Sequence, residues 1–129
     1  MTARQTYRAG IYARLSRDDE RQGESISIEN QKLILTRFCD SQGWQIMGCY
    51  VDDGWTGTNF DRPAFRRLIE DVRDKRVNLV IVKDLSRLGR DYIEVGRYTD
   101  CVFPLYGCRF IALNDGVDTI RQNDDVGMI

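Results

Sequence analysis

Four consecutive residues, Leu79-Val80-Ile81-Val82, constrain the fold of this chain more than any other stretch. A short, continuous, β-branched-rich run marks a strand buried on both faces, as in a parallel sheet covered by helices on either side. Other segments supply the neighbours such a strand needs. Tyr7, Ala9, Ile11, Ala13 and Leu15 recur every second residue and predict a first strand over 7–15. Residues 44–51 read as a second strand and 109–113 as a fourth. Between them the period changes. From Ser25 to Gln42, Ile28, Leu33, Leu35 and Phe38, with Ile34 and Cys39, form one apolar helical face, with Ser27 as N-cap and Gly43 as C-cap. A second helix starts at Pro63, suited to a first helical position, and runs to about Arg76 with Phe65, Leu68, Ile69 and Val72 inward. A third covers roughly Tyr92 to Tyr106, closed by Gly107.

The order β-α-β-α-β-α-β predicts the α/β class, with a mainly parallel central sheet of about four strands and helices on both faces. Right-handed crossovers bring the ends of strands one, three and four to one edge. Ligands and chemistry collect at that carboxyl edge in open α/β sheets. After Leu113 the pattern stops. Residues 114–125 read as turn-like, and Val126 to Ile129 as the first residues of a further element, so a fragment of a longer protein is expected.

Composition narrows the function. A chain of 129 residues makes one domain with a sizeable core. No apolar run approaches the roughly 20 residues of a membrane span, and no signal peptide is visible, so a cytoplasmic protein is expected. With a formal net charge of −1, the domain as a whole is not a basic nucleic-acid binder. Such contact must come from a local patch or another domain. The absence of histidine removes the Ser-His-Asp triad, histidine metal ligands and histidine acid/base work. Cys39, Cys49, Cys101 and Cys108 form no C-x-x-C pair and read as reduced thiols; no metal or cofactor is expected. Of the basic residues only Lys32, Lys75 and Lys83 are lysine. The rest are arginine, the planar fork that grips phosphate or carboxylate with two bonds.

The candidate chemistry sits at strand ends. Ser16 closes the first strand, and Arg14, two residues earlier, leaves the same face of an extended chain. Read alone, Ser16 is a turn or cap residue. Beside an arginine at the carboxyl edge it points to a phosphate brought to a nucleophile. Lys83, Arg87 and Arg90 follow the third strand, and Arg87 and Arg90 share a side if that segment is helical. Cations at a helix N-terminus oppose the macrodipole, so Asp84, Asp91 or an incoming anion must compensate. The stretch Asp52 to Arg62, with Gly54, Gly57 and exposed aromatics, reads as a mobile loop able to bring Arg62 over a substrate. Gln31 lies in the first turns of the first helix, near the same edge; by itself it is a surface polar residue. One hydroxyl with three or four arginines can support phosphoryl transfer through positioning and charge stabilisation. Another phosphate-handling α/β enzyme lacks support, because neither a G-x-x-x-x-G-K nor a G-x-G-x-x-G turn follows the first strand.

Four ordered motifs then carry a resemblance: Tyr12-Ala13-Arg14-Leu15-Ser16, Ser27-Ile28-Glu29-Asn30-Gln31, Asp53-Gly54-Trp55-Thr56-Gly57 with Asp61-Arg62-Pro63, and Leu85-Ser86-Arg87-Leu88-Gly89-Arg90-Asp91. Together they resemble the catalytic domain of serine site-specific recombinases, the resolvase/invertase family. The wording from Asp61 to Pro63 and from Lys83 to Arg90 is most similar to the large serine recombinases of bacterial mobile elements. The resemblance implies a three-layer resolvase-like domain acting on double-stranded DNA. It makes Ser16 the nucleophile that forms a 5′-phosphoserine, Arg14, Arg87, Arg90 and Arg62 the ligands of the scissile phosphate, and Gln31 an active-site glutamine. It further implies dimers, a synaptic tetramer with strand exchange by subunit rotation, and a place at the bacterial nucleoid. Residues 1–129 would be the N-terminal catalytic domain, ending near the start of a long interface helix and lacking the DNA-binding domains. Two positions depart from the pattern: Ser86 stands where many relatives carry Asp, with Asp84 two residues earlier, and Thr56 stands where smaller relatives often have Ser. The alternative reading is a non-catalytic α/β module that pairs with itself or a partner.

Overall fold

The computed structural model describes residues 6–15, 27–53, 62–89 and 91–120. Its strands are β1 (Arg8–Leu15), β2 (Gln45–Asp53), β3 (Leu79–Val82), β4 (Arg109–Ala112) and β5 (Val117–Asp118). They form one sheet in the order β2-β1-β3-β4-β5. β1 pairs in parallel with β2 and β3, β3 in parallel with β4, and β5 runs antiparallel to β4. All four residues of β3 are fully buried, as the continuous apolar run requires.

The helices are α1 (Ile28–Gln42), α2 (Pro63–Arg73), α3 (Leu85–Leu88), α4 (Tyr92–Arg97) and α5 (Phe103–Leu105). The core falls into two clusters. One joins Tyr12, Val80 and Val82 to Phe65, Leu68 and Val72 of α2 and to Phe103 of α5. The other joins Ala9, Ile11, Leu79 and Ile81 to Leu35 and Cys39 of α1. Alternate residues of β1 and β3 thus serve opposite layers, as the two-residue period of a strand dictates. Burying one leucine or isoleucine in this way contributes roughly 1.5–3 kcal/mol. β1 lies so close to α2 that a Cβ on Gly10 would sit 2.8 Å from Leu68 Cδ1, so any larger residue there forces that side chain to shift. The caps of α1 are as expected: Ser27 Oγ accepts from Asn30 N, and Gly43 closes the helix at φ 76°.

Several boundaries differ from the sequence reading. The sheet has five strands rather than about four, because Val117 and Asp118 form β5 where only a turn was expected. Two residues carry no readable period; their strand is held by tertiary contacts. Asp118 makes a two-pronged ion pair with Arg109, at 3.0 and 2.7 Å, and Thr119 Oγ1 accepts from Phe110 N. β2 continues to Asp53, so Asp52 belongs to a strand and not to the following loop. α2 stops at Arg73, and Lys75 takes up φ 66° just beyond it. The third predicted helix is continuous but contains a π-helical turn at Tyr98–Val102 between α4 and α5. On α1 the buried face is Gln31, Leu35 and Cys39, whereas Leu33 and Ile34 are exposed. Counting apolar residues alone missed that a glutamine belongs inside. The four cysteines are free thiols, with Cys39 and Cys108 buried. No described helix is long and apolar enough to cross a membrane, and the described residues contain no group of acidic or cysteine side chains able to hold a metal.

Candidate active site

At the carboxyl edge of the sheet, β1 outruns its pairing with β3, which ends at Ile11 opposite Ile81. Beyond that point side chains take over on the β3 side of β1, while pairing with β2 continues to Leu15 opposite Asp53. The Gln31 amide stands in for a neighbouring strand: its Oε1 accepts from Arg14 N at 3.2 Å and its Nε2 donates to Arg14 O at 3.0 Å. Arg87 Nη1 donates to the same Arg14 carbonyl at 3.0 Å. In return Arg14 Nε donates to Arg87 O at 3.0 Å, and Arg14 Nη2 to Ser86 O. Arg14 and Arg87 therefore clasp each other through backbone oxygens. Arg62 joins from the N-terminal side of α2, its Nη2 donating to Leu88 O at 2.5 Å and its Nη1 to Arg87 O at 3.5 Å.

These three guanidinium groups and Gln31 have essentially no exposed surface. Buried cations need compensation; here backbone carbonyls accept from all three guanidinium groups, and the Asp84 carboxylate lies 3.4 Å from Arg87 Nε. Ser86, Arg87 and Leu88 lie in the last turn of α3, where carbonyl oxygens carry partial negative charge. The sequence placed Lys83, Arg87 and Arg90 at a helix start, against the macrodipole, with Asp84, Asp91 or an anion to compensate. Of these, Lys83 and Arg87 do face Asp84, while the carbonyls of the short α3 accept from Arg14 and Arg62.

Two carboxylates complete the surroundings. Asp52, opposite Arg14 in the β1–β2 register, is buried and accepts from Tyr12 OH at 2.9 Å and from Ala64 N and Phe65 N at 3.0 Å each. It satisfies two orphan donors of the first turn of α2, which has no side-chain cap of its own. Arg62 packs over the Tyr12 and Phe65 rings, 5.7 and 5.2 Å from their centroids. Burial lowers the Arg62 guanidinium from its ordinary value, with Tyr12, Asp52 and Tyr98 opposing that shift. Burial also pushes the Tyr12 hydroxyl up, aided by Asp52 and opposed by Arg62 and Arg14. Asp84 faces Lys83 Nζ at 3.2 Å and Arg87 Nε at 3.4 Å, and accepts from Ser86 Oγ. Burial alone would raise its carboxyl; Ser86, Arg87 and Lys83 together outweigh burial and hold it below the usual carboxylate range.

Four of the six candidate residues, Arg14, Gln31, Arg62 and Arg87, are thus one hydrogen-bonded unit. Ser16 and Arg90 lie outside the described residues, as do most of the 52–62 loop and Thr56. Sequence reasoning missed Asp52 and Tyr12 as parts of the unit. Their signal was positional: an acid and a tyrosine on strands that end at the carboxyl edge.

The profile of the family described as "Resolvase, N terminal domain" matches residues 9–129. The chain belongs to this family. The N-terminal catalytic domain of TP901-1 integrase is similar in structure, with a TM-score of 0.78 at 34% identity over 87% of this chain and 81% of that one. A resolvase family site-specific recombinase from Streptococcus pneumoniae has a TM-score of 0.71 at 29% identity, covering 88% of this chain and 76% of its own. An uncharacterized immunity region protein 3 of Bacillus phage phi105 is 33% identical over 64 residues, 49% of this chain and 76% of that protein. The resolvase-family assignment agrees with the four sequence motifs and with the parallel sheet described above.

Proposed function

We propose that this resolvase-family domain cuts DNA by transferring a backbone phosphate to Ser16. Family membership makes the chain a site-specific serine recombinase domain, an enzyme whose substrate is DNA and which works in an oligomer. The proposed step is a balanced exchange. Ser16 Oγ bonds to phosphorus, the bond from phosphorus to the 3′ oxygen breaks, and the serine proton is replaced on that 3′ oxygen. A 5′-phosphoserine and a free 3′ hydroxyl result. One phosphodiester replaces another, so the reverse attack can rejoin strands without an external energy source.

The observation supporting this reading is the convergence of Arg14, Arg62 and Arg87 with Gln31 at the carboxyl end of β1, immediately before Ser16 in the chain. Preorganised guanidinium groups stabilise the charge that develops on equatorial phosphate oxygens. A scissile phosphate would draw on N–H donors now held by the carbonyls of Ser86, Arg87 and Leu88, with Arg90 joining them. Dimers bound to single sites, their pairing into a tetramer and action at the nucleoid belong to the same proposal. So do DNA-binding contacts made largely outside these 129 residues, in keeping with a net charge of −1. Ser16→Ala in the intact recombinase tests it. The variant should bind its site as the wild type does and yield no covalent protein–DNA product. Normal strand cleavage by Ser16→Ala would exclude the mechanism.

A further inference from the structure

The segment entering α3 divides its polar work in an unusual way. Asp84 occupies the N-cap position, yet its side chain caps no backbone N–H. That duty falls to Asp115, in the turn between β4 and β5, whose Oδ2 accepts from Leu85 N at 2.6 Å. The same turn is tied down through Asn114 N to Lys83 O at 2.8 Å and Leu113 N to Val82 O at 3.1 Å. Relieved of capping, the Asp84 carboxylate turns to side chains: Ser86 Oγ, Arg87 Nε and Lys83 Nζ. Arg87 is almost fully buried and also grips the Arg14 carbonyl; Arg14 in turn donates to Ser86 O. Asp84 therefore touches Arg87 directly, and also Ser86, the residue whose carbonyl accepts from Arg14.

We infer that Asp84 is a positioning residue for strand cleavage, fixing the Arg87 fork directly and the Arg14 fork through Ser86, with Asp115 taking over the helix cap that frees it to do so. The inference rests on the proposed phosphate-binding role of the arginines. Its physical basis is electrostatic: Asp84 Oδ1 lies at an ion-pair separation of 3.4 Å from Arg87 Nε and attracts that side of the guanidinium, while the Nη atoms remain for other acceptors. The carboxylate is ionised across the working range because its neighbours keep it below the ordinary carboxylate value. It balances two cations, Lys83 and Arg87, that are themselves largely withdrawn from water.

The test uses the intact recombinase and a supercoiled plasmid carrying two copies of its own site, mapped from the ends of the segment it moves in cells. Single-turnover cleavage is followed against enzyme concentration, which separates the maximal rate from half-saturation. Asp84→Asn keeps the shape and removes the charge. It should lower the maximal rate about 100-fold, the scale of a misplaced catalytic group, with half-saturation within roughly twofold of wild type on the same reasoning. Asp84→Glu should recover a substantial part of that rate. Ser86→Ala, which leaves the ion pairs in place, should show a smaller loss, again in rate alone. The inference falls if Asp84→Asn cleaves at the wild-type rate, if Glu rescues nothing in a folded protein, or if half-saturation weakens in step with the rate. Should Ser16→Ala also cleave normally, the proposed function itself fails, a result separable from any behaviour of the Asp84 variants.

Discussion

Asp52→Ala removes the carboxylate that joins β1, β2 and α2, and the structure sets the size of the effect. Three hydrogen bonds to a charged acceptor are lost, from Tyr12 OH, Ala64 N and Phe65 N. Each such bond contributes roughly 1.5–3 kcal/mol, and donors left buried add a desolvation penalty. Some of this is recovered, because water can enter the space vacated by the side chain and non-additivity trims the total. A net loss of about 4 kcal/mol is expected. For a chain of this length that lowers the midpoint of thermal unfolding by roughly 15 °C. Two further variants sharpen the reasoning. Asp52→Asn keeps acceptors for two of the three donors but turns an amide N–H₂ toward the third, and should lose about half as much. Tyr12→Phe removes one hydroxyl and should lose about 1–1.5 kcal/mol. Calorimetry and urea titration at pH 7 measure all three. An Asp52→Ala protein within about 1 kcal/mol of wild type would refute the claim that this carboxylate holds the entry to α2.

Gln31→Leu leaves Arg14 N without its side-chain partner and Arg14 O with Arg87 in place of two donors, and should cost about 1–3 kcal/mol by urea titration, with Gln31→Glu no milder because an anion would then face the Arg14 carbonyl. Gly10→Ala forces a Cβ to within 2.8 Å of Leu68 Cδ1 and should destabilise by about 1–3 kcal/mol, read as a lower unfolding midpoint. Burial raises the Cys39 thiol to about 11 and the Cys108 thiol to about 12. The unfolded chain loses these protons near its ordinary thiol value while the folded chain keeps them. Their contribution is therefore complete below about pH 8.5 and declines as pH rises toward those folded values. Stability measured between pH 8 and pH 11 should fall in wild type and fall less in Cys39→Ala. In the same protein, iodoacetamide at pH 8 should label Cys49 and Cys101 quickly and leave Cys39 and Cys108 protected until unfolding.

The parallel layers were legible because hydrophobic period is a local property. The run from Leu79 to Val82, the alternation leading to Leu15 and the inward positions Phe65, Leu68 and Val72 needed no partner to be recognised. The candidate cluster was legible at Arg14 and Arg87 because cations gathered at strand ends call for an anion, and at Arg62 because a glycine-bearing loop can carry a cation to that edge. What escaped was contact between distant residues of ordinary composition. Gln31 looked like a surface polar side chain because nothing nearby in sequence shows that Arg14, seventeen residues earlier, lacks a partner on the β3 side of its strand. Asp52 looked like a loop residue because its donors lie twelve and thirteen positions on. The Asp115 cap of α3 spans thirty residues, and β5 is two residues long. In each case tertiary contact supplies an acceptor or donor that the local chain does not.

The central claim is that one hydroxyl, Ser16, becomes covalently joined to a DNA end. The most direct test is to trap the cleavage intermediate of the intact recombinase on a nicked site, digest protein and DNA, and locate the nucleotide by tandem mass spectrometry. The account predicts a 5′-linked nucleotide phosphate on the peptide containing Ser16, absent from Ser16→Ala. A nucleotide on any other side chain, or cleavage that proceeds with no protein-linked nucleotide, would contradict it.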